Sequence, residues 1–403
     1  MRHIVACAVL LSALSATATS CKETCQSFES WPQTDRSADG LRFSEVSIEI
    51  DKQCRQYRVY LFTYATDTSS RGFCVTAASA VANGFRLNVL GVGQQISMEN
   101  MYMSKMWTLK EVVDALLREI DKELQKRTLI FFIDAYDVLV SGTPSALVTK
   151  TLLSRKKILF SGEKGCCPRV ENLMYHKNYA CDVDWLWPET TTSLPFLNSG
   201  MFVGFVTQVA IMLQEAKEEY DSRISKIEDK IQPLNSAKGP WNPYLLGTDQ
   251  LLYCYMLSHH NMPSGKPLRK ALKMGIDYHA DILVSMYDMP LTVIRFTKNG
   301  RVKLYGSDFP CYVNHQFFEV CQNWTRNNPK PTFPVAVHFN GRGIWKENMM
   351  KVAARMTWPF VSDAEFWNKT MYHIRNHTSA VEVPLGETCK PLMPPHTRLW
   401  ESV

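Results

Sequence analysis

Between Tyr57 and Ser161 strand-like and helix-like segments alternate, and that order admits few architectures. Tyr57-Arg-Val-Tyr-Leu-Phe-Thr63 has the β-branched and aromatic content of a strand. Ser70 to Asn83 reads as a helix of small residues, and Phe85-Arg-Leu-Asn-Val-Leu90 alternates apolar with polar before Gly91. Leu109, Val112, Leu116, Ile120 and Leu124 keep helical spacing and lead into the apolar run Thr128 to Ile133. Thr143-Pro144 supplies a cap and a first-turn proline for another helix, and Lys157-Ile-Leu-Phe-Ser161 is the next strand. Repeated β-α-β order predicts an α/β fold: a mostly parallel twisted sheet, helices on both faces, and ligands beyond the carboxyl ends of the strands.

Asp134 and Asp137 stand at such an end, directly after the apolar run. A carboxylate pair leaving a buried strand is costly unless something offsets its charge. Spacing of three sends two side chains to opposite faces of a straight strand, so both aim at one ion only if the chain turns after Asp134. Val138-Leu-Val-Ser-Gly142 allows the turn. Hard oxygen donors beside solvent suit Mg²⁺ or Mn²⁺; two solvated loop acids are the other reading of the pair taken alone.

Beyond Gly162 the pattern loosens into a cysteine-containing loop, Cys166 to Trp187, then Phe196 to Phe205 and a polar helix to about Lys230. Thr248 is placed to cap a helix with Asp249 in its first turn, and the proline-rich segment Val383 to Thr397 reads as an extended tail. There is no internal repeat and no second periodic domain.

Residues 1–20 have the basic start, short apolar stretch and small-residue end of a secretory signal peptide. Sequons at Asn323, Asn368 and Asn376 agree with passage through the endoplasmic reticulum. Twelve cysteines less Cys7 of the signal leave eleven, an odd number, which points to disulfides plus at least one thiol left over. The net charge of +6 is spread without a basic block, which argues against nucleic acid as a partner. The apolar stretch Leu194 to Leu213 is broken by Asn198, Ser199, Gly200 and Gln208, so no transmembrane helix is expected in the mature chain.

Six short motifs stand in order along the chain: Thr63-Tyr-Ala-Thr66, Asp134-Ala-Tyr-Asp137, Gly162-Glu-Lys-Gly-Cys166, Phe196-Leu-Asn-Ser-Gly200, Thr248-Asp-Gln250 and His338-Phe-Asn-Gly341. From Val59 to about Lys346 this set resembles the glycosyltransferase domain of the lysyl hydroxylase and procollagen glycosyltransferase family. The resemblance implies a GT-A type fold, a single nucleotide-sugar-binding domain, a UDP-glucose or UDP-galactose donor and a catalytic Mn²⁺ or Mg²⁺. By the same resemblance Asp134, Asp137 and His338 are the metal ligands. Thr66, Tyr136, Asn340, Gly341 and Lys346 are the donor-binding positions, and Asp249 and Asn198 are catalytic. Asp249 would hydrogen-bond the sugar or take the acceptor proton; as a first-turn acid it also fits a purely structural role. Hydroxylysine of a collagen-like protein is the acceptor the family suggests, and the lumen of the endoplasmic reticulum or Golgi, or secretion, is the implied location.

The chain departs from the family in three places. Leu245-Leu-Gly-Thr248 replaces a run of acids and leaves only Asp249, Cys167 stands where relatives have tryptophan, and the lysine after the His338 segment comes two positions late, at Lys346. Lys105 and Lys110 are alternative cationic candidates. Expected boundaries are residues 1–20 for the signal, 21–56 for a cysteine-containing extension, 57–350 for the glycosyltransferase domain and 351–403 for a C-terminal extension. Two other readings stand beside this one: an inactive, secreted glycan-binding protein on the same fold, and an Fe(II)/2-oxoglutarate oxygenase using His279, Asp281 and His338. Against the oxygenase, Asn348 occupies the position where its 2-oxoglutarate-binding arginine belongs.

Overall fold

The computed structural model describes residues 43–50, 55–96, 101–165, 194–224, 248–261, 272–287, 289–298, 301–305, 331–341, 343–355, 364–375 and 379–392. The signal segment, Cys166 to Pro168, Asn323 and Asn376 lie outside them.

The expected alternation is present: β1 (Val46–Ile50), β2 (Arg55–Tyr64), α1 (Arg71–Ala82), β3 (Leu87–Leu90), α2 (Met101–Glu119), α3 (Lys122–Gln125), β4 (Thr128–Asp134), β5 (Val138–Val140), α4 (Pro144–Ser154) and β6 (Ile158–Glu163). Ser70 caps α1 by accepting from Phe73 N at 3.1 Å, and Thr143 caps α4 by accepting from Ala146 N at 3.3 Å, with Pro144 in the first turn. There follow β7 (Phe196–Phe205), α5 (Val206–Glu219), α6 (Asp249–Asn261), β8 (Met274–Asp277), β9 (Leu283–Ser285), β10 (Ile294–Phe296), β11 (Val302–Tyr305), β12 (Pro331–Thr332), β13 (Ala336–His338), α7 (Gly343–Arg355), α8 (Ala364–Trp367), β14 (Thr370–Arg375), β15 (Ser379–Pro384) and α9 (Leu385–Cys389).

Twelve strands form one sheet in the order β15-β14-β3-β2-β4-β7-β6-β9-β13-β5, with β1 on β2 and β8 on β6; β10, β11 and β12 form a small second sheet. Parallel pairs join β14-β3-β2-β4 and β8-β6-β9-β13. The two parallel blocks meet through β7, antiparallel to both β4 and β6. The sheet is therefore mixed with parallel pairing in the majority.

Both faces of the sheet are covered, as the double-sided apolarity of β4 requires. Leu129, Phe131 and Ile133 face α1, α4 and α7, while Ile130 and Phe132 face α2, α5 and α6. Truncating a fully buried ring such as Phe131 to alanine costs roughly 3–5 kcal/mol in a core of this kind.

Residues beyond 350 add β14 and β15 to the sheet edge beside β3. The segment read as an extended tail instead completes β15 and then turns into α9, whose Leu385 is buried. Pro384 sits at the cap of α9, where a proline costs the helix nothing. Cys389 at the end of α9 is disulfide-bonded to Cys74 of α1. Among the described residues no helix is long and apolar enough to cross a membrane.

Candidate metal centre and the network behind it

Tyr64 and Asp134 are register partners at the ends of β2 and β4, and there the chain turns at once, as the acid pair demands. Two anchors fix the turn. Gly72 in α1 lies against it so closely that a Cβ would stand 2.3 Å from the Tyr136 carbonyl oxygen. From the far side, Phe339 N donates to the Asp137 carbonyl at 2.7 Å, just past β13. Asp134, Asp137 and His338 thus converge, with one ligand atom from each lying within 4.8 Å of the others. Two carboxylate oxygens and one imidazole nitrogen are a fitting donor set for a hard divalent cation.

His338 is oriented for that task. Asn198 Oδ1 accepts from Gly200 N at 3.0 Å, and its amide nitrogen donates to Glu163 Oε2 at 3.1 Å. That assignment makes His338 Nδ1–H the donor to Asn198 Oδ1 at 2.8 Å and turns Nε2 toward Asp137 Oδ1 at 3.2 Å and Asp134 Oδ2 at 3.7 Å. Burial works against charge on the imidazole, but Asp137, Asp134 and Glu163 outweigh it and raise its pKa.

Behind the ligands Glu163, at the end of β6, is fully enclosed. Its carboxylate accepts from Gln250 Nε2 at 2.7 Å, Asn340 Nδ2 at 2.7 Å and Asn198 Nδ2 at 3.1 Å. Burial pushes it up to about 7, and those three donors partly oppose the rise. Ser285 at the end of β9 extends the chain of contacts by donating to Asn340 Oδ1 at 2.5 Å.

On the other side Lys105 of α2 bridges two acids, with Nζ 2.9 Å from Asp134 Oδ1 and 2.9 Å from Asp249 Oδ2. Desolvation disfavours the ammonium, yet the two carboxylates outweigh it and hold it charged. Asp249 is buried at the start of α6, where burial raises its pKa and Lys105 opposes the rise. Thr248 caps that helix as expected, accepting from Leu251 N at 3.3 Å.

The remaining expected positions divide. Asn340 is in the network, and Gly341 beside it has φ 111°, a backbone conformation that favours glycine. The Tyr136 hydroxyl donates to the Asp67 carbonyl at 2.9 Å and so clasps the loop that carries Thr66. Lys346 falls in the first turn of α7, and its side chain lies outside the described residues. Of the alternatives, Lys110 pairs with Asp114 along α2, and Lys105 faces the site. Among the described residues, His338 groups with Asp134 and Asp137 and not with His279 and Asp281, which lie around the turn after β8. Glu163 escaped the sequence reading as a site residue although it stands inside one of the six motifs.

Residues 55–224 match the PLOD GT domain family model. The multifunctional procollagen lysine hydroxylase and glycosyltransferase LH3 of Pongo abelii is 24% identical over 299 residues, and that of Homo sapiens 23%; each alignment covers 70% of this chain and 30% of the relative. A procollagen-lysine,2-oxoglutarate 5-dioxygenase of Drosophila melanogaster is 30% identical over 167 residues, 40% of this chain and 21% of that protein. The chain thus spans under a third of the length of these relatives. Among solved structures, a glycosyltransferase involved in glycosylation of the major capsid of PBCV-1 aligns over 72% of this chain and 98% of its own, at 9% identity and a TM-score of 0.34. Over residues 55–224, and at low identity over 70% of its length, the chain is similar to the glycosyltransferase domain of procollagen lysine hydroxylases.

Proposed function

We propose that this glycosyltransferase moves a hexose, glucose or galactose, from a UDP-sugar to a hydroxyl acceptor, with Asp134, Asp137 and His338 holding Mn²⁺ or Mg²⁺. The observation that carries the reading is the convergence of those three side chains, Asp137 and His338 being 201 residues apart in sequence, with the imidazole Nε2 aimed at both acids. A cation bound there would offset the negative charge that grows on the diphosphate as the bond to the sugar breaks.

The chain's own residues supply the rest. Asn198 holds the imidazole in the tautomer whose Nε2 lone pair faces the ligand position, which makes it a positioning residue. Tyr136 fixes the loop bearing Thr66 against the turn, and Asn340 and Gly341 border the same end of the sheet. Lys346, in the first turn of α7, is the cation proposed for the diphosphate. Asp249, paired with Lys105, either takes the acceptor proton or orients the sugar hydroxyls. Similarity to a procollagen lysine hydroxylase and glycosyltransferase makes a hydroxylysine acceptor the first to try, and the lumen of the secretory pathway the setting.

Calorimetry with UDP in the presence and absence of Mn²⁺, together with hydrolysis of a panel of UDP-sugars, tests the reading. Metal-dependent UDP binding that disappears in Asp137→Ala is the expected result. Absence of binding to the wild type, or unchanged affinity in the variant, would sink it.

A further inference from the structure

Tyr287 stands just past the carboxyl end of β9 with 39% of its surface open to solvent. Ser285 and His338 are register partners in the parallel pair β9-β13, so Tyr287 and Asn340 occupy matching positions two residues beyond. The ring lies close against Gly165, where a Cβ would stand 2.3 Å from Cε1 and 2.6 Å from Cδ1. Gly165 is buried, and it follows Glu163 by two residues. Tyr287 N donates to Ser285 Oγ at 3.4 Å, and the same hydroxyl donates to Asn340.

The surroundings of this ring are specific. It has Gly165 against it, and its backbone joins the Ser285 hydroxyl that bonds the partly buried Asn340 amide. A pyranose presents matching chemistry: one flat C–H face that packs on an aromatic ring and a rim of hydroxyls that hydrogen-bond to such groups. Glu163 and Asn198 are buried while Tyr287 is open, so the ring meets a sugar arriving from solvent rather than one lodged deep beside the metal ligands.

We propose that Tyr287, backed by Gly165, is the platform on which the pyranose of a carbohydrate acceptor stacks; this rests on the reading of the adjacent centre as the site of sugar transfer. The test is saturation-transfer NMR with methyl β-D-galactopyranoside and methyl β-D-glucopyranoside on the wild type, Tyr287→Phe, Tyr287→Ala and Gly165→Ala, each protein also titrated with UDP and Mn²⁺. Transfer to the C–H protons of at least one glycoside should be kept in Tyr287→Phe and fall about fivefold in Tyr287→Ala, the loss expected for one stacked ring. Gly165→Ala should behave like Tyr287→Ala, because the added methyl displaces the ring. Absence of transfer in the wild type, equal transfer in all four proteins, or loss in Tyr287→Phe overturns the platform. So does loss of UDP binding in step with loss of the glycoside, which would assign Tyr287 to the donor side or to the fold. A wild type that contacts the glycosides through Tyr287 but does not bind UDP would sink the donor reading and leave the platform standing.

Discussion

Gly200 shows how closely residue identity follows the site. It lies inside β7, and a Cβ there would come within 2.1 Å of His338 Cε1 and 2.8 Å of Asp134 Oδ2. The groups that approach Gly200 are thus an imidazole and a carboxylate. Gly200→Ala should therefore weaken Mn²⁺ affinity by about tenfold or more through displacement of His338, and calorimetric titration with the metal alone reads this directly. Unchanged affinity would mean that the ring yields without cost. Asp249→Asn separates the two roles open to that acid. If it takes a proton or orients the sugar, turnover at saturating donor and metal falls by about 10² or more while UDP binding stays near wild type. If Asp249 serves only as the buried partner of Lys105, removing its charge loosens Lys105 and Asp134 as well, and stability and metal-dependent UDP binding fall together with turnover. That Asp134, Asp137 and His338 would lie together was legible because each stands in a short motif at a strand end. Lys105 was legible only as a lysine on a helix, since the role of a buried charge is set by what faces it, here Asp134 and Asp249 from two other elements.

At the scale of elements, Glu163 knots the site together, for its carboxylate takes donors from β7, α6 and the segment after β13. The register shift between Phe160 and Ser161 of β6 lies beside it and lets β7 bend so that Asn198 reaches both Glu163 and His338. This knot has a pH signature in the metal-free protein. A carboxyl whose folded pKa is raised from 4.5 to about 7 leaves the folded state holding more protons than the unfolded one between those values. Stability must then fall as pH rises through that window and level off above it, by on the order of 3 kcal/mol for this group alone. Thermal denaturation from pH 4 to 8 in the presence of a chelator should show the decline. Glu163→Gln, which does not titrate, should flatten it whatever its effect on absolute stability. A slope unchanged in the variant would assign the decline to other groups. No periodicity in the sequence announces such a knot, because its members come from four elements and each looks, alone, like an ordinary polar residue at a strand or helix end.

For the molecule as a whole, β-α-β alternation was enough to foresee the layers and the edge at which the site lies, because hydrophobic period and caps are local signals. Partner choice is not local, and so the antiparallel joint at β7 and the return of the C-terminal strands to β3 were not legible. Cysteine count was equally mute about pairing, since nothing local links Cys74 to a cysteine 315 residues later. That bond ties α9, and with it β14 and β15, to α1, the helix whose Gly72 packs against the metal turn. Cutting so long a covalent loop frees the unfolded chain, so Cys389→Ser should lower stability by roughly 2–4 kcal/mol. The variant leaves every proposed ligand in place. Native-state hydrogen exchange should therefore show faster opening of β14 and β15 than of β4, and Mn²⁺-dependent UDP affinity should drop only to the extent that α1 loosens. Equal denaturation midpoints for the wild type with and without reductant, and for Cys389→Ser, would show that packing of Leu385, Phe366 and Trp367 holds the C-terminal unit without the covalent tie.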